Sequence, residues 1–224
     1  MIKFITFDCY DTLVAYTAGK AAMVHQLVSE KGADTTVAEK VVCQFSQHER
    51  RMLASAEFSP LAAVLTRCIE QALRDQNLPF ESTDADRIVQ AVKDSRPFDD
   101  VTQALKELKQ HYKLAILSNS QPDIIVHNIA AIDVHFDAVV LAAEVKAYKP
   151  DLRMFDALVD RCGCDKSEIV HVAQSFYHDI KPGHAAGLRR VWINRNNLSG
   201  DEAFKPYDEL PNLDNLFELL GRYI

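Results

Sequence analysis

The sequence predicts an α/β protein with a doubly wound parallel sheet and an inserted helical segment. In residues 96–224, short apolar runs typical of buried strands alternate with stretches of helical periodicity. This alternation predicts parallel strands joined by right-handed crossovers. A first strand over residues 2–7 is separated from this region by roughly 80 residues that carry helical patterns and no strand pattern. We therefore expect one sheet interrupted after its first strand.

Composition and charge exclude several classes of partner. The 224-residue chain is 48% hydrophobic with a net charge of -7, and it has no basic patch, so nucleic acid is not expected as a partner. No apolar run approaches the roughly 18 residues that a membrane span needs. The five cysteines show neither disulfide nor zinc spacing, and the first strand follows Met1 without a signal-peptide pattern. These features predict reduced thiols and a cytoplasmic location.

Four helices are expected between the first and second strands. The clearest covers residues 59–76, where Ser59 can cap the helix, Pro60 suits its first position and apolar residues line one face. The other three are expected around residues 21–28, 36–54 and 84–93.

The remaining elements alternate regularly. Asp99 or Asp100 can cap a helix that reaches Leu108. Strand patterns and a closing helix then follow, the strands at 113–117, 137–142, 169–173 and 190–193 and the helix at 212–222. The predicted domains are a core of residues 1–14 and 96–224 and a helical insert of residues 15–95, with connections near residue 14 and Pro97.

Polar residues come at or shortly after the ends of four predicted strands. Asp8 follows the first strand, and Ser118 and Asn119 follow the second. Lys149 comes after the third strand and Asp179 after the fourth. The carboxyl ends of parallel strands meet at one edge of the sheet, so we expect these side chains to converge there. A lysine facing two aspartates would hold both as carboxylates, and an oriented carboxylate can act as a nucleophile.

These residues carry a family resemblance that covers the whole chain. Each motif is short, but four occur in order at strand ends: Asp8-x-Tyr10-Asp11-Thr12, Ser118-Asn119, Lys149-Pro150 and Asp179. Together they resemble the haloacid dehalogenase superfamily. The resemblance implies a Rossmann-like core, with residues 15–95 as its helical cap.

Position 10 relates the chain to one branch of that superfamily. Most members are phosphatases with an aspartate two residues after the nucleophile, and that aspartate protonates the leaving group. Tyr10 is a poor acid near neutral pH, and a halide needs no proton. The sequence therefore resembles the L-2-haloacid dehalogenase branch. Ser175 stands four residues before Asp179, where the phosphatases carry an acidic magnesium ligand, so neither a metal nor another cofactor is expected.

The resemblance implies a two-step mechanism and a role for each motif. Asp8 would attack C2 of an (S)-2-haloacid and expel halide, leaving an ester, and water activated by Asp179 would hydrolyse that ester to a 2-hydroxy acid. Lys149 and Ser118 would orient Asp8. Asn119 would help to hold the substrate carboxylate and Thr12 the loop. The expected substrate-binding residues are Tyr10, Thr12, Asn119, Phe155 and Ser175.

The chain departs from the dehalogenase pattern in three places. These enzymes have an early cap arginine that draws off the halide, whereas residues 42–44 carry none, and Arg50 and Arg51 follow later on what the pattern indicates is a solvated helix face. Phe155 replaces a tyrosine and Phe176 an asparagine. The resemblance also implies an apolar halide pocket in the cap.

Three alternatives remain open from the sequence. One is a magnesium-dependent phosphatase of the same superfamily that acts on a small phosphate ester and tolerates Tyr10. Another is chemistry at a carbonyl-adjacent carbon of a different substrate. The third is a non-catalytic relative that binds a small acid or a partner protein. In the main interpretation the partner is a small organic acid, and a homodimer is compatible with the resemblance.

Overall fold

The computed structural model describes residues 1–55 and 57–223. Its sheet consists of β1 (Phe4–Phe7), β2 (Lys113–Ser118), β3 (Ala138–Leu141), β4 (Ile169–Ala173), β5 (Arg189–Ile193) and β6 (Asp208–Leu210). The strand order is β3-β2-β1-β4-β5-β6, and all neighbouring pairs are parallel. The predicted fold class, a doubly wound parallel sheet, is confirmed.

Strand β1 lies at the centre of the sheet. Its four residues are buried on both faces, which explains why it reads as a continuous apolar run. Phe7 lies opposite Ile116 of β2 and Val172 of β4, so the three strands end nearly level. This register brings the residues that follow them to one edge of the sheet.

The described residues form ten α-helices. Four of them, between β1 and β2, are α1 (Tyr16–Glu30), α2 (Thr35–Leu53), α3 (Leu61–Asp75) and α4 (Ser82–Lys93). The rest are α5 (Val101–Leu108), α6 (Pro122–Ile132), α7 (Ala142–Val145), α8 (Leu152–Cys162), α9 (Lys181–Ala185) and α10 (Leu216–Leu220).

The hydrophobic core has two parts, one on each side of the sheet. One part joins the apolar faces of α1–α4 to α8 and to one face of the sheet, where Phe4 and Leu117 lie. The other part places α5 and α10 against the opposite face, where Ile5 and Phe7 lie. Successive residues of β1 thus enter different parts of the core, as the two-residue period of a strand requires.

The two chain segments that connect α1–α4 to the sheet run side by side. Val14 forms an antiparallel bridge with Pro97, and the backbone amide of Ala15 donates to the carbonyl of Arg96 at 2.9 Å. The guanidinium of Arg195 donates to the carbonyl of Thr12 at 2.9 Å. Both connections are therefore fixed beside the end of β1.

Three local predictions were wrong. Helix α3 is capped by Pro60 without a side-chain hydrogen bond, and the carbonyl of Ser59 instead accepts from the hydroxyl of Tyr148 at 2.6 Å. Asp100 occupies the N-cap position of α5, but its side chain makes no capping hydrogen bond, because its carboxylate binds Arg195 and the backbone amide of Leu213. Strand β5 is not the last strand, because β6 follows it. Strand β6 was not predicted, since it is short and polar and has no apolar run.

The closing helix is shorter than predicted, because α10 ends at Leu220 and a 3₁₀ turn follows. Within residues 1–55 and 57–223, no helix combines the length and the apolar composition that crossing a bilayer requires.

Candidate active site

Lys149 is the centre of a buried ionic cluster at the carboxyl edge of the sheet. Its Nζ donates to Asp8 Oδ1 at 2.7 Å, to Asp179 Oδ1 at 2.7 Å and to the carbonyl of Leu117 at 2.9 Å. The side chain is only 2% exposed. An ammonium has three donors, so all of them are used. The predicted convergence of the three charged residues is therefore present, and the lysine offsets the cost of burying two carboxylates.

Asn119 fixes the backbone of this lysine. Its Oδ1 accepts from the Lys149 amide at 2.7 Å, and its Nδ2 donates to the Lys149 carbonyl at 3.2 Å. From the sequence, Asn119 was expected to help to hold a substrate carboxylate. The structure instead uses both ends of its side chain to position the segment that carries Lys149, although Asn119 also lines the cavity described below.

Thr12 fixes the second oxygen of Asp8. Thr12 Oγ1 donates to Asp8 Oδ2 at 2.6 Å and accepts from the amide of Gln174 at 2.8 Å. Ser118 was expected to orient Asp8, but its buried Oγ has no hydrogen-bond partner among the described residues. The side-chain hydrogen bonds that orient Asp8 thus come from Thr12 and Lys149.

His171, which was not predicted as a site residue, extends the cluster beneath Asp179. Because a carboxylate only accepts, His171 Nε2 donates to Asp179 Oδ1, at 3.0 Å. His171 Nδ1 lies 2.9 Å from Thr6 Oγ1 on the neighbouring strand. Asp179 Oδ2 is buried and has no partner within the described part of the chain. The sequence signal that could have identified His171 is its position in the middle of an otherwise apolar strand.

Burial and charge separate the pKa values of the two aspartates. Burial of Asp8 outweighs the charge of Lys149 and, together with the Asp179 carboxylate, raises the pKa of Asp8. Burial also disfavours the Asp179 carboxylate, but the charge of Lys149 and the His171 hydrogen bond outweigh it and lower the pKa of Asp179. Burial opposes the ammonium as well, yet the two carboxylates raise the pKa of Lys149. As the pH rises, Asp179 therefore loses its proton before Asp8.

A cavity of about 340 Å³ opens onto this cluster. Asp8, Lys149 and Asp179 line it at the edge of the sheet, and helices α1 and α2 line it with mostly polar side chains. The side chains from these two helices are Tyr16, Thr17, Lys20, Ser46, Glu49, Arg50 and Leu53. Among the described residues, the helical segment adds the apolar side chains of Leu53 and Leu61 to this lining, and the expected apolar halide pocket stays a prediction.

Three of these residues, Tyr16, Lys20 and Glu49, form a buried cluster between α1 and α2. The Glu49 carboxylate accepts from the hydroxyl of Tyr16 and from the ammonium of Lys20. The Lys20 ammonium also lies over the Tyr16 ring, 3.8 Å from its centroid. Lys20 and Glu49 are only 4% and 7% exposed. This cluster was not predicted from the sequence, because single charged residues on helices normally face solvent.

The remaining candidates differ in their relation to the cavity. Tyr10 lines it, and its hydroxyl is hydrogen-bonded to Ser120 Oγ at 2.7 Å. Ser175 also lines it, and its Oγ accepts from the His178 amide at 3.1 Å. Phe155 does not line it. Its fully buried ring packs edge-on against His171, with 5.7 Å between ring centroids.

Two of the places where the sequence departs from the dehalogenase pattern differ in their position relative to the cavity. Arg50 lines the cavity, whereas Arg51 lies in an adjacent surface groove. Arg50 is therefore not only part of a solvated face. Phe176 packs edge-on against Trp192 and Tyr207 and supports the loop before Asp179 from outside the cavity.

The side chains around Asp8 do not form a metal-binding cluster. Across residues 1–55 and 57–223, no three histidine, cysteine or acidic side chains are grouped as metal ligands would be. Ser175, at the position where an acidic ligand would stand, is engaged with His178. One oxygen of Asp8 is bound by Lys149 and the other by Thr12. The donor set therefore does not fit a hard cation that prefers several carboxylate oxygens.

Comparisons with known proteins relate the chain to one family. A family model of haloacid dehalogenase-like hydrolases matches residues 2–187. (S)-2-haloacid dehalogenase 4A of Burkholderia cepacia is 25% identical over 227 residues, which cover 100% of this chain and 96% of that protein. (S)-2-haloacid dehalogenase 1 of Pseudomonas sp. (strain CBS-3) is 27% identical over 226 residues, which cover 99% and 97% of the two chains.

A solved structure shares the fold over nearly the full length. The L-2-haloacid dehalogenase from Xanthobacter autotrophicus superposes with a TM-score of 0.85 and 22% sequence identity, covering 99% of each chain.

Proposed function

The chain belongs to the haloacid dehalogenase-like hydrolase family, and we propose that it hydrolyses the carbon–halogen bond of small (S)-2-haloacids through an ester on Asp8. The observation that carries the proposal is the buried cluster of Asp8, Lys149 and Asp179, with Tyr10 two residues after Asp8 where an acid for the leaving group would stand. Burial raises the pKa of Tyr10 well above its ordinary value, and its hydroxyl is engaged with Ser120. This suits expulsion of a halide, which leaves without a proton.

In the first step, a carboxylate oxygen of Asp8 attacks C2 of the haloacid. The carbon–halogen bond breaks, the halide leaves with the bonding electron pair, and an aspartyl ester forms with inversion at C2. Lys149 and Thr12 hold the carboxylate in one orientation, which lowers the entropic cost of reaching the attack geometry.

In the second step, water attacks the carbonyl carbon of the ester while Asp179 takes its proton. Asp179 suits this role, because Lys149 and His171 both bind Oδ1 and leave Oδ2 without a partner among the described residues. The Lys149 ammonium stabilises the oxyanion that develops on Asp8. The ester C–O bond then breaks, and Asp179 returns the proton to the departing alkoxide, so a 2-hydroxy acid leaves. The carboxyl group of Asp8 gives its remaining proton to solvent and is a carboxylate again.

The decisive test is halide release from (S)-2-chloropropionate in EDTA by the parent and by Asp8→Asn. We expect release by the parent and none by the variant, and Asp123→Asn, an exposed aspartate on α6, should behave like the parent. A parent protein that releases no halide would refute the proposal. Magnesium-dependent hydrolysis of p-nitrophenyl phosphate by the parent would then establish the phosphatase alternative, and inactivity in both assays would favour the binding protein.

A single turnover in water enriched in oxygen-18 tests the ester directly. Because the hydroxyl oxygen of the product comes from Asp8 in the first turnover, that product should carry no label, and the label should appear on Asp8 instead. Labelled first-turnover product would show that water attacks C2 directly.

We also propose that residues 15–95 form a cap domain over a core of residues 1–14 and 96–224. The paired connections at Val14 and Pro97, and a cavity lined from both sides, support this division. Ligand-dependent hydrogen exchange confined to residues 15–95 and the two connections would test it. The homodimer and the cytoplasmic location stay predictions, and sedimentation would test the first.

A further inference from the structure

The part of the cavity that α1 and α2 form is more polar than a small haloacid requires. At about 340 Å³, the cavity reaches the lower end of the range of ~300–1,000 Å³ found for sites that bind drug-sized molecules. A three-carbon acid fills only part of that volume. The helical side of the remainder contains Tyr16, Lys20 and Glu49, all of which line the cavity. The substrate therefore has room for a substituent that reaches these side chains.

The Lys20 ammonium has donors that the protein does not use. It has three N–H groups, and its hydrogen bond to Glu49 is the only one that it makes within the described part of the chain. The face of the Tyr16 ring lies beside it at 3.8 Å. A buried ammonium with unused donors beside a cavity can bind an oxygen atom of a ligand. Glu49 is held by Tyr16 and Lys20 and can accept from a ligand hydroxyl in turn.

A purely structural role explains this cluster less well. Burying an ion pair costs about as much desolvation energy as its attraction returns, so it contributes little to stability. The same helical segment contains a second buried pair, Lys31 with Asp84 at 2.9 Å, which does not line the cavity. That pair joins α4 to the end of α1, whereas Lys20 and Glu49 face the same space as Asp8.

We propose that Tyr16, Lys20 and Glu49 form a recognition subsite for a hydrogen-bond-accepting group, a hydroxyl or a carboxylate, on carbon 3 of the substrate or beyond it. The proposal rests on the proposed function, because it names the substrate class for the same cavity. Lys20 donates to that group, Glu49 accepts from it when it is a hydroxyl, and Arg50 adds positive charge when it is a carboxylate. The preferred substrates are then 2-haloacids with a polar substituent rather than an alkyl chain.

Binding of halogen-free acids tests the subsite without any reaction. The probes are (R)-2-hydroxybutyrate, (R)-glycerate and (R)-malate, which share C1 and C2 and carry a methyl, a hydroxyl or a carboxylate on C3. Isothermal titration calorimetry of the parent should show glycerate, malate or both binding at least about tenfold more tightly than hydroxybutyrate. Tighter binding of glycerate would identify a hydroxyl as the group that the subsite recognises, and tighter binding of malate would identify a carboxylate. Equal affinities, or a preference for hydroxybutyrate, would overturn the proposal.

Three variants test whether Lys20 and Glu49 cause the preference for the polar acids over hydroxybutyrate. Lys20→Met should remove it, and Lys20→Met/Glu49→Leu, which leaves no unpaired charge, should remove it even where the single variant folds poorly. Lys31→Met, in the matched pair outside the cavity, should keep it. A preference that survives in the folded double variant would overturn the proposal, as would its loss in a folded Lys31→Met.

The outcome is independent of the dehalogenase assay. If the parent releases no halide from (S)-2-chloropropionate or from (S)-2-chlorosuccinate but binds the polar acids with the predicted ranking, the proposed reaction fails and the subsite stands. If halide is released and the ranking is absent, the reaction stands and the subsite fails.

Discussion

Replacing Lys149 by methionine should lower the free energy of unfolding by about 3–5 kcal/mol near neutral pH, the cost of leaving buried charges without their partner. Methionine keeps most of the apolar stem of the lysine in place. It removes three hydrogen bonds, two of them to carboxylates at 2.7 Å. Asp8 and Asp179 would then face each other in a buried site without a cation.

The loss should depend on pH in a defined direction. In the unfolded chain, both aspartates have pKa values near 3.9. In the folded variant, burial raises the pKa of Asp8 and of Asp179, because the lysine charge that opposes burial is gone and only the hydrogen bonds from Thr12 and His171 still favour the carboxylates. A carboxyl group whose pKa is higher in the folded state destabilises the fold above its unfolded pKa. The deficit should therefore be smallest near pH 4 and grow with rising pH, by up to about 1.4 kcal/mol per pH unit for each retained proton.

Urea unfolding of parent and variant at several values between pH 5 and pH 8 measures this deficit. Lys106→Met is the control, because the pair of Lys106 with Asp133 is 2.8 Å long but half or more exposed on both sides. That variant should lose less than about 1 kcal/mol at every pH. A loss at Lys149 as small as this, or one of several kcal/mol that does not vary with pH, would refute the argument that the lysine offsets two buried carboxylates.

Three further predictions concern the site and its support. The acid limb of kcat/KM should have an apparent pKa above the ordinary value of aspartate, because burial raises the pKa of Asp8 and activity is lost as the pH falls through that raised value. His171→Leu should lower kcat by about tenfold with little change in KM, because Asp179 loses one of the two donors that hold it. The same loss should raise the pKa of Asp179 and so move the acid limb of kcat to higher pH. Arg195→Met should cost about 2 kcal/mol in urea unfolding, because it leaves the Asp100 carboxylate, whose side chain is only 9% exposed, without its cation.

The controls and contrary outcomes differ among these three. A pH profile of kcat/KM that stays flat down to pH 4 would contradict the raised pKa of Asp8. His171→Gln, which keeps a donor on the side chain, should recover part of the activity. If the pH profile of His171→Leu is not shifted, His171 contributes packing and does not position Asp179. Arg153→Met, whose ion pair is exposed, should leave stability unchanged, and an equally small effect at Arg195 would contradict its role.

Local patterns were enough to predict the fold and the position of the candidate site. An apolar run before Asp8 and further strand patterns with helices between them predict parallel strands, and parallel strands place all their carboxyl ends at one edge. That rule alone places Asp8, Lys149 and Asp179 together, because it depends on the order of elements and not on side-chain detail. The short and polar β6 escaped because it has no apolar run.

The partners of each side chain within the site depend on distances between elements far apart in the chain. Thr12 rather than Ser118 holds Asp8, and Asn119 holds the Lys149 backbone, because differences of a few ångströms between neighbouring loops select the hydrogen bonds. The charged residues Lys20 and Glu49 look like ordinary solvated positions on their helices. Only the packing of α1 against α2 buries them beside the cavity, since the helical period identifies a face but not what covers it.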